Sequence, residues 1–320
     1  MTWRVSETSG YHAGGLDSLG WEMTVCNALE REDGPCRKIL SHNASYGKQL
    51  LRFLSLAIPI DSVRRVLEVG GGYGSLMRDF LGERPQTRAT MLDISPFLLD
   101  RQKRALAGQR AEFVLGDFFG VSDEFLRGFD LAVFNENMGD FPTICGLTRE
   151  MLFSAETAPH CAISEARIFY ERYALHIPEG EFNFNIGAAR AVENVCAARI
   201  PFIFLGEHSC EARVPDVCAD IVHVSAPGNP ERIALRGHDE YTIRFSDLSA
   251  IAVCLGYEVR RGAFADYLPF TMSPQIRFAF TSMSSRDDHE ELRHFVEDLF
   301  KYEYLLLRRK DPVSDPLFRG

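Results

Sequence analysis

The sequence predicts an α/β fold built on a mostly parallel β-sheet, with helices on both faces and an antiparallel last strand. Two patterns support this prediction. From residue 63 onward, short apolar runs alternate with segments that carry apolar residues at helical spacing, which is typical of successive strand–helix units. Four glycines occupy five positions, 70–74, directly after the first apolar run, as in a tight turn between a strand and a helix.

The predicted elements begin with an N-terminal helical extension, residues 1–58, which ends in an amphipathic helix at 43–58. The first half of the sheet covers residues 59–140, and its strands alternate with helices. We place these strands at residues 64–70, 88–94, 111–117 and 129–136.

The second part of the chain is less regular. Residues 141–200 are too many for a simple crossover and predict a helical insertion that ends in a helix at 186–200. The second half of the sheet, residues 201–285, begins with a fifth strand and ends with the antiparallel strand. We place these two strands at residues 201–207 and 275–283, and a C-terminal helix and tail at 286–320 with the helix over 286–308.

Composition excludes several classes of protein. The 320 residues are 46% hydrophobic and 25% charged, as in an ordinary soluble globular protein. Because the formal net charge is −10, the chain repels phosphate backbones, and we expect no nucleic-acid partner. No apolar run reaches the roughly 18 residues of a membrane span, and the N-terminus lacks a signal peptide, so we expect a cytoplasmic protein without membrane contact. A homo-oligomer is compatible with this composition.

The cysteines and histidines give no standard metal motif. The eight cysteines contain no CxxC pair, so neither a zinc ribbon nor a redox pair is indicated. His208, Cys210, Cys218 and His223 lie close together in the sequence, but their spacing matches no zinc finger. We therefore predict no metal.

The glycine turn indicates a ligand that approaches bare backbone. A dinucleotide fingerprint requires glycine at position 75, where Ser75 stands, and this disfavours a nicotinamide-linked oxidoreductase. A P-loop would require Gly-Lys-Ser/Thr, which is absent. Glu68, two residues before the turn, suits a cationic or hydroxyl-rich ligand better than a phosphate.

Polar residues follow the next strands at the edge where open α/β sheets bind ligands. Asp93 ends the second strand, where a carboxylate can accept hydrogen bonds from the hydroxyls of a ribose. Asp117 follows the third strand and can accept a hydrogen bond from an adenine amino group while Phe118 or Phe119 packs on the ring. Each acid, taken singly, could instead cap a helix. Because these acids all follow strands at the same edge of the sheet, the pattern favours a nucleoside site.

These motifs resemble class I S-adenosylmethionine (SAM) methyltransferases, and more closely the MidA-like branch, which includes the mitochondrial complex I assembly methyltransferase. The similar segments are "EVGGGYGSL" (68–76), "LDISPFLLDRQKRAL" (92–106), "FNENMGDFP" (134–142) and "SYGKQL" (45–50). The resemblance implies a Rossmann-like fold and S-adenosyl-L-methionine as cofactor. The residues that it and the strand-end pattern assign to cofactor binding are Glu68, Gly70, Gly72, Gly74, Asp93, Ile94, Asp117, Phe118, Asn135 and Tyr46.

The segment after the fourth strand supplies the candidate catalytic groups. Glu136 and Asp140 are expected beside the transferred methyl group, although Asp140 follows the family's aspartate position, occupied here by Gly139. Paired carboxylates would bind a cationic nitrogen, and the resemblance implies an arginine side chain as acceptor in some members. Glu207 and His208 are weaker candidates for a base. We expect methyl transfer to a protein side chain or a small molecule; the alternative is a non-catalytic SAM-binding scaffold of the same fold.

Overall fold

The computed structural model describes residues 3–14, 24–154, 161–235, 237–282 and 286–310. Its strands are β1 Arg4–Ser6, β2 Arg65–Val69, β3 Arg88–Asp93, β4 Ala111–Leu115, β5 Leu131–Asn135, β6 Thr143–Leu147, β7 Phe182–Phe184, β8 Phe202–His208, β9 Arg232–Ala234, β10 Asp239–Tyr241, β11 Tyr257–Ala263 and β12 Tyr302–Arg309. Its α-helices are α1 Ser9–Gly14, α2 Val25–Ala28, α3 Pro35–Ile39, α4 Tyr46–Ala57, α5 Ser75–Glu83, α6 Pro96–Ala105, α7 Asp123–Leu126, α8 Arg149–Phe153, α9 Cys161–Arg172, α10 Ile186–Ala197, α11 Phe245–Cys254, α12 Pro274–Thr281 and α13 Asp287–Lys301.

The central sheet has seven strands in the order β11-β12-β8-β5-β2-β3-β4. Strands β4, β3, β2, β5 and β8 pair in parallel, and β12 runs antiparallel to both of its neighbours, β8 and β11. The order reverses at β2, so the crevice at the carboxyl ends of β2 and β5 is the place where such sheets bind ligands. The predicted α/β fold with a mostly parallel sheet is confirmed.

Two hydrophobic clusters cover the two faces of this sheet. Successive strand residues belong to opposite clusters, as Val133 and Phe134 do on β5 and Phe204 and Leu205 do on β8. Since both faces are buried, the central strands β2, β3, β5 and β8 are mostly apolar runs, and this is why they could be located from the sequence.

The antiparallel strand is not where the sequence analysis placed it. Residues 274–281 form helix α12, whose start is stabilised by Pro274 and by Ser273 Oγ, which accepts a hydrogen bond from Ile276 N. The C-terminal helix ends at Lys301, and β12 follows it directly. Strand β12 lies between β8 and β11, and because no residue separates it from α13, its apolar run continues the helical pattern in the sequence. Residue 283 and the predicted tail 311–320 lie outside the described residues.

The predicted helical extension and insertion also contain strands. Strand β1 pairs antiparallel with β6, and β6 pairs with β7, to form a small second sheet. The pairing Ser6↔Thr143 brings the N-terminal segment to the loop that follows β5. Of the predicted extension and insertion, residues 1–2, 15–23 and 155–160 lie outside the described ranges.

Candidate functional site

A cavity of about 370 Å³ opens at the carboxyl ends of β2, β3, β4 and β5. Its volume is in the range of small-molecule sites. Its walls come from the glycine turn, from the residues that follow each strand, and from the N-terminal segment. The lining residues that enter the description below are Thr8, His12, Cys26, Glu68, Gly70, Gly71, Gly72, Asp93, Ile94, Asp117, Phe118, Asn135, Glu136, Asn137, Asp140 and Arg190.

The glycine turn forms the floor of this cavity. Gly70 has φ +60°, a conformation that strains any residue with a side chain. A Cβ on Gly70 would also lie 2.7 Å from Asn137 Nδ2. The carbonyl oxygen of Gly72 accepts a hydrogen bond from Gln102 Nε2 at 3.0 Å, which ties the turn to helix α6. The turn is therefore held from both sides while its surface stays open to a ligand.

Glu68 is the buried carboxylate beneath the turn. It is 2% exposed, and within the described part of the chain its Oε2 atom makes no hydrogen bond. Burial, and then the nearby charge of Asp93, raises the pKa of Glu68 to about 8. A buried carboxylate oxygen without a partner is costly unless a donor or a cation satisfies it. Glu68 thus indicates a ligand with a positive charge or an N–H group.

Asp93 lies at the end of β3 with its carboxylate already oriented. Its Oδ1 accepts from Ser95 N at 2.8 Å, and its Oδ2 accepts from Gln102 Nε2 at 2.7 Å. Burial raises the pKa of Asp93 although both hydrogen bonds oppose this shift. Each oxygen retains a lone pair, so the carboxylate can still accept from the hydroxyls of a ligand.

The wall after β4 contains the predicted aromatic and acidic residues. Phe118 is buried and packs against Phe134, with ring centroids 5.1 Å apart. Asp117 is exposed, and its Oδ1 accepts from Phe119 N at 2.9 Å, as the cap of a short 3₁₀ turn. Ile94 lines the cavity between this wall and Asp93.

Glu136 lines the cavity in a strained backbone conformation, with φ 55°. Its carboxylate accepts hydrogen bonds from the first backbone N–H groups of α2, from Val25 at 3.0 Å and from Cys26 at 3.1 Å. Asn135 Nδ2 donates to the same carboxylate at 3.1 Å. Burial raises the pKa of Glu136 to about 7. Glu136 therefore anchors the N-terminal segment over the cavity as well as facing the ligand space.

Asp140, the second predicted catalytic residue, pairs with the N-terminal segment. Its Oδ1 lies 2.7 Å from His12 Nε2, and its main-chain oxygen accepts from Thr8 Oγ1 at 2.7 Å. Both Asp140 and His12 line the cavity. The structure thus brings the predicted acceptor-side acids together with a histidine that the sequence analysis did not single out.

Two predicted cofactor ligands do not line the cavity. The Tyr46 hydroxyl lies behind Asn135, donates to its Oδ1, and lies 2.7 Å from the Tyr267 hydroxyl. Gly74 begins α5 with φ +84°, and a Cβ there would meet Leu106 Cδ1 at 2.8 Å. Tyr46 orients a lining residue, and Gly74 allows α5 to pack against α6.

Sequence reasoning missed Asn137 and the N-terminal wall. Asn137 is buried at the cavity, and its Oδ1 atom lacks a hydrogen-bond partner among the described residues. The motif around Asn135 could have suggested it, since both residues follow β5. No local pattern could have placed His12 or Cys26, because pairing of β1 with the distant β6 brings the segment here.

The candidate base residues at the end of β8 lie away from the cavity lining. Glu207 is buried, and its Oε2 accepts from Met138 N at 2.9 Å and from Gly139 N at 3.1 Å. The ring of His208 stacks on Tyr302, with centroids 4.7 Å apart, and burial lowers the pKa of His208 to about 4. Glu207 thus supports the loop after β5, and His208 packs within the fold.

The two histidines and two cysteines between residues 208 and 223 do not come together as a set of three or more metal ligands in the described part of the chain.

None of the helices in the described ranges is both long and apolar enough to span a membrane.

The fold is the Rossmann-like α/β fold of class I methyltransferases. No protein-family model and no curated protein matches the sequence. Among solved structures, an uncharacterized ACR superfamily protein from Burkholderia thailandensis matches with a TM-score of 0.52 at 14% identity, over 96% of this chain and 87% of its own. This likeness shows the fold.

Two further matches, with lower TM-scores, are structures with SAH or SAM bound. The N-terminal domain of EvdMO1 with SAH bound gives a TM-score of 0.44 at 12% identity, over 86% of this chain and 84% of its own. The glycopeptide N-methyltransferase MtfA complexed with SAM gives a TM-score of 0.42 at 14% identity, over 82% of this chain and 94% of its own. Both TM-scores lie below 0.5 and support no conclusion about function.

Proposed function

We propose that the protein is a SAM-dependent methyltransferase. The observation that carries this proposal is the buried Glu68 carboxylate, whose Oε2 has no partner in the described structure and lies beneath a glycine turn that lines an open cavity. A ligand with a sulfonium and an ammonium group supplies the positive charge that this carboxylate lacks. The residues around the cavity therefore fit SAM.

The remaining parts of SAM match the other walls. Asn137 Oδ1, also without a hydrogen-bond partner in the described residues, can accept from the ammonium group together with Glu68. Asp93, held by Ser95 and Gln102, accepts from the ribose hydroxyls. Asp117 and the apolar side chains of Ile94 and Phe118 bind the adenine. SAM, once bound, supplies an electrophilic methyl group, and the chain's main task is to orient the acceptor toward it.

The acceptor side is acidic. Glu136, Asp140 and His12 line one part of the cavity, and Arg190 lines it from α10. The acceptor is a protein side chain, such as an arginine nitrogen, or a small molecule that enters through the opening. The carboxylates bind it and, with His12, accept the proton that a protonated nucleophile must lose.

One observation favours the non-catalytic alternative. Both oxygens of Glu136 already accept backbone hydrogen bonds from α2, so this carboxylate has a structural task that does not require catalysis. A SAM-binding scaffold would keep Glu68 and Asp93 for the cofactor and use Glu136 only to hold the N-terminal segment.

Calorimetry with SAM and with its demethylated product tests the binding step. We expect both to bind. Asp93→Ala should weaken SAM binding by about 1–3 kcal/mol because charged hydrogen bonds are lost. Asp100→Ala, on the exposed face of α6, is the matched control and should bind as the wild type does. Absence of binding by the wild type would contradict the proposal.

Methyl transfer from labelled SAM to fractions of a cell extract separates the enzyme from the scaffold. Transfer that Asp140→Asn reduces, without loss of SAM affinity, supports the enzyme. Binding without transfer to any fraction supports the scaffold.

A further inference from the structure

Three potential metal ligands meet at one side of the cavity. His12 comes from α1, Asp140 from the loop after β5, and His238 from the turn between β9 and β10. Their ligand atoms all lie within 4.8 Å of one another. Their side chains are 14%, 20% and 9% exposed, respectively, so the three groups are largely shielded from solvent.

The distances suit a metal centre. Asp140 Oδ1 lies 2.7 Å from His12 Nε2 and 3.5 Å from His238 Nε2. Ligands bound at about 2.0–2.2 Å in a tetrahedral or octahedral shell lie roughly 3.0–3.5 Å from each other. The His12–Asp140 pair must open by a few tenths of an ångström to take a cation, and the two histidine nitrogens lie within 4.8 Å of each other.

Packing holds all three ligands in place. Thr8 Oγ1 donates to the main-chain oxygen of Asp140 at 2.7 Å, and the Tyr11 ring stacks on His238 with centroids 4.5 Å apart. Gly237 has φ +98°, and a Cβ there would lie 2.7 Å from Tyr11 Cε2. The turn that carries His238 is thus fitted closely against α1.

We propose that His12, Asp140 and His238 bind a divalent first-row transition metal. Two imidazoles and one carboxylate are the donor set of such metals, and three protein ligands leave positions open for a further oxygen or nitrogen ligand. The cation would take the Nε2 lone pairs of both histidines, and Glu240 Oε1 lies 3.4 Å from His238 Nε2 beside the three ligands. The chain's net charge of −10 favours a cation.

The site also defines an acceptor class. His12 and Asp140 line the cavity, so the open positions face the ligand space. A bound metal lowers the pKa of a coordinated hydroxyl and fixes its orientation. On the proposed methyltransferase function, on which this step alone rests, the acceptor is a hydroxyl-bearing molecule that coordinates the metal through the oxygen to be methylated. With His12 and Asp140 bound to the metal, the hydroxyl proton passes to Glu136 or to water. The oxygen then bonds to the methyl carbon as the S–C bond of SAM breaks, and the sulfur keeps that electron pair.

Metal titration of the full chain, untagged and stripped with a chelator, tests the site. We expect one Zn²⁺ per chain by calorimetry, and a Co²⁺ absorption spectrum that indicates nitrogen and oxygen ligands. His12→Gln, Asp140→Asn and His238→Gln should each weaken Zn²⁺ binding by about tenfold or more. His42→Gln, which alters an exposed histidine, should leave the Zn²⁺ affinity unchanged.

Circular dichroism of each variant reports whether it is folded. If His12→Gln or Asp140→Asn unfolds, the folded His238→Gln variant is sufficient to test the metal site. Equal Zn²⁺ affinity of the wild type and a folded His238→Gln would overturn the proposal and leave a hydrogen-bonded histidine–aspartate cluster. SAM affinity of the stripped protein separates the two proposals. SAM binding without Zn²⁺ binding refutes the metal site alone, whereas Zn²⁺ binding without SAM binding refutes the methyltransferase alone.

Discussion

Gln102 Nε2 donates to Asp93 Oδ2 at 2.7 Å and to the Gly72 main-chain oxygen at 3.0 Å, so one buried amide joins the glycine turn to the acid that ends β3. We expect Gln102→Leu to weaken SAM binding by about 1–2 kcal/mol, because Asp93 loses the donor that orients it. Calorimetry measures this change. Gln109→Leu, whose side chain instead donates to Arg78 O, is the control, and equal losses in both variants would contradict the assignment.

Gly70 has a left-handed backbone and lies where an added Cβ would meet Asn137, and a pair of variants separates the two effects. Gly70→Ala adds a Cβ 2.7 Å from Asn137 Nδ2 at φ +60°, whereas Gly108→Ala adds one in open space at φ +81°. Both should lose about 1–2 kcal/mol of stability from backbone strain. Only Gly70→Ala should also lose SAM affinity, by about tenfold or more, since Asn137 must move. Denaturant unfolding and calorimetry together test this, and an equal affinity in both variants would exclude a role for the Gly70–Asn137 contact.

Glu68 predicts how stability depends on pH. Burial raises its pKa from the ordinary 4.5 to about 8, so between these values the folded chain keeps a proton that the unfolded chain releases. The free energy of unfolding should therefore fall as pH rises from about 5 to 8, by at most about 1.4 kcal/mol per pH unit for this one group.

Glu68→Gln should remove this contribution and flatten the curve. Other buried carboxyls with a raised pKa, such as Glu207 and Asp247, remain in both proteins, so the difference between the two curves isolates Glu68. Urea unfolding at pH values across this window measures it. Parallel curves would mean that Glu68 titrates normally.

The buried Tyr46 hydroxyl should affect the site through Asn135. Tyr46→Phe removes the hydrogen bond to Asn135 Oδ1 and the contact with Tyr267, and should cost about 1–2 kcal/mol of stability. Tyr257→Phe is the matched control, since the buried Tyr257 hydroxyl donates to Ile200 O at 2.8 Å in the other hydrophobic cluster. We expect a similar loss of stability in both variants, and weaker SAM binding only in Tyr46→Phe. Unchanged affinity there would show that Asn135 keeps its position without this support.

Much of the proposed SAM-binding side of the cavity could be predicted from local patterns. Glu68, Gly70, Gly72, Asp93 and Asp117 all follow from where an apolar run ends, because parallel strands bring their carboxyl ends to one edge. The same reasoning failed at 275–308. There, Ser273 and Pro274 start a helix in place of the expected strand, and β12 follows Lys301 directly, with no residue between them to mark the end of the helix.

The sequence by itself determined the first five strands of the central sheet, the glycine turn and the acids beside it, since each depends on neighbours within a few residues. The tertiary structure alone decided which groups line the proposed acceptor side of the cavity. His12 meets Asp140 across 128 positions of chain because β1 pairs with β6, and Glu136 holds α2 through backbone N–H groups that no side-chain motif marks. Contacts of this kind depend on how distant segments pack, and neither periodicity nor spacing along the chain encodes that packing in a readable form.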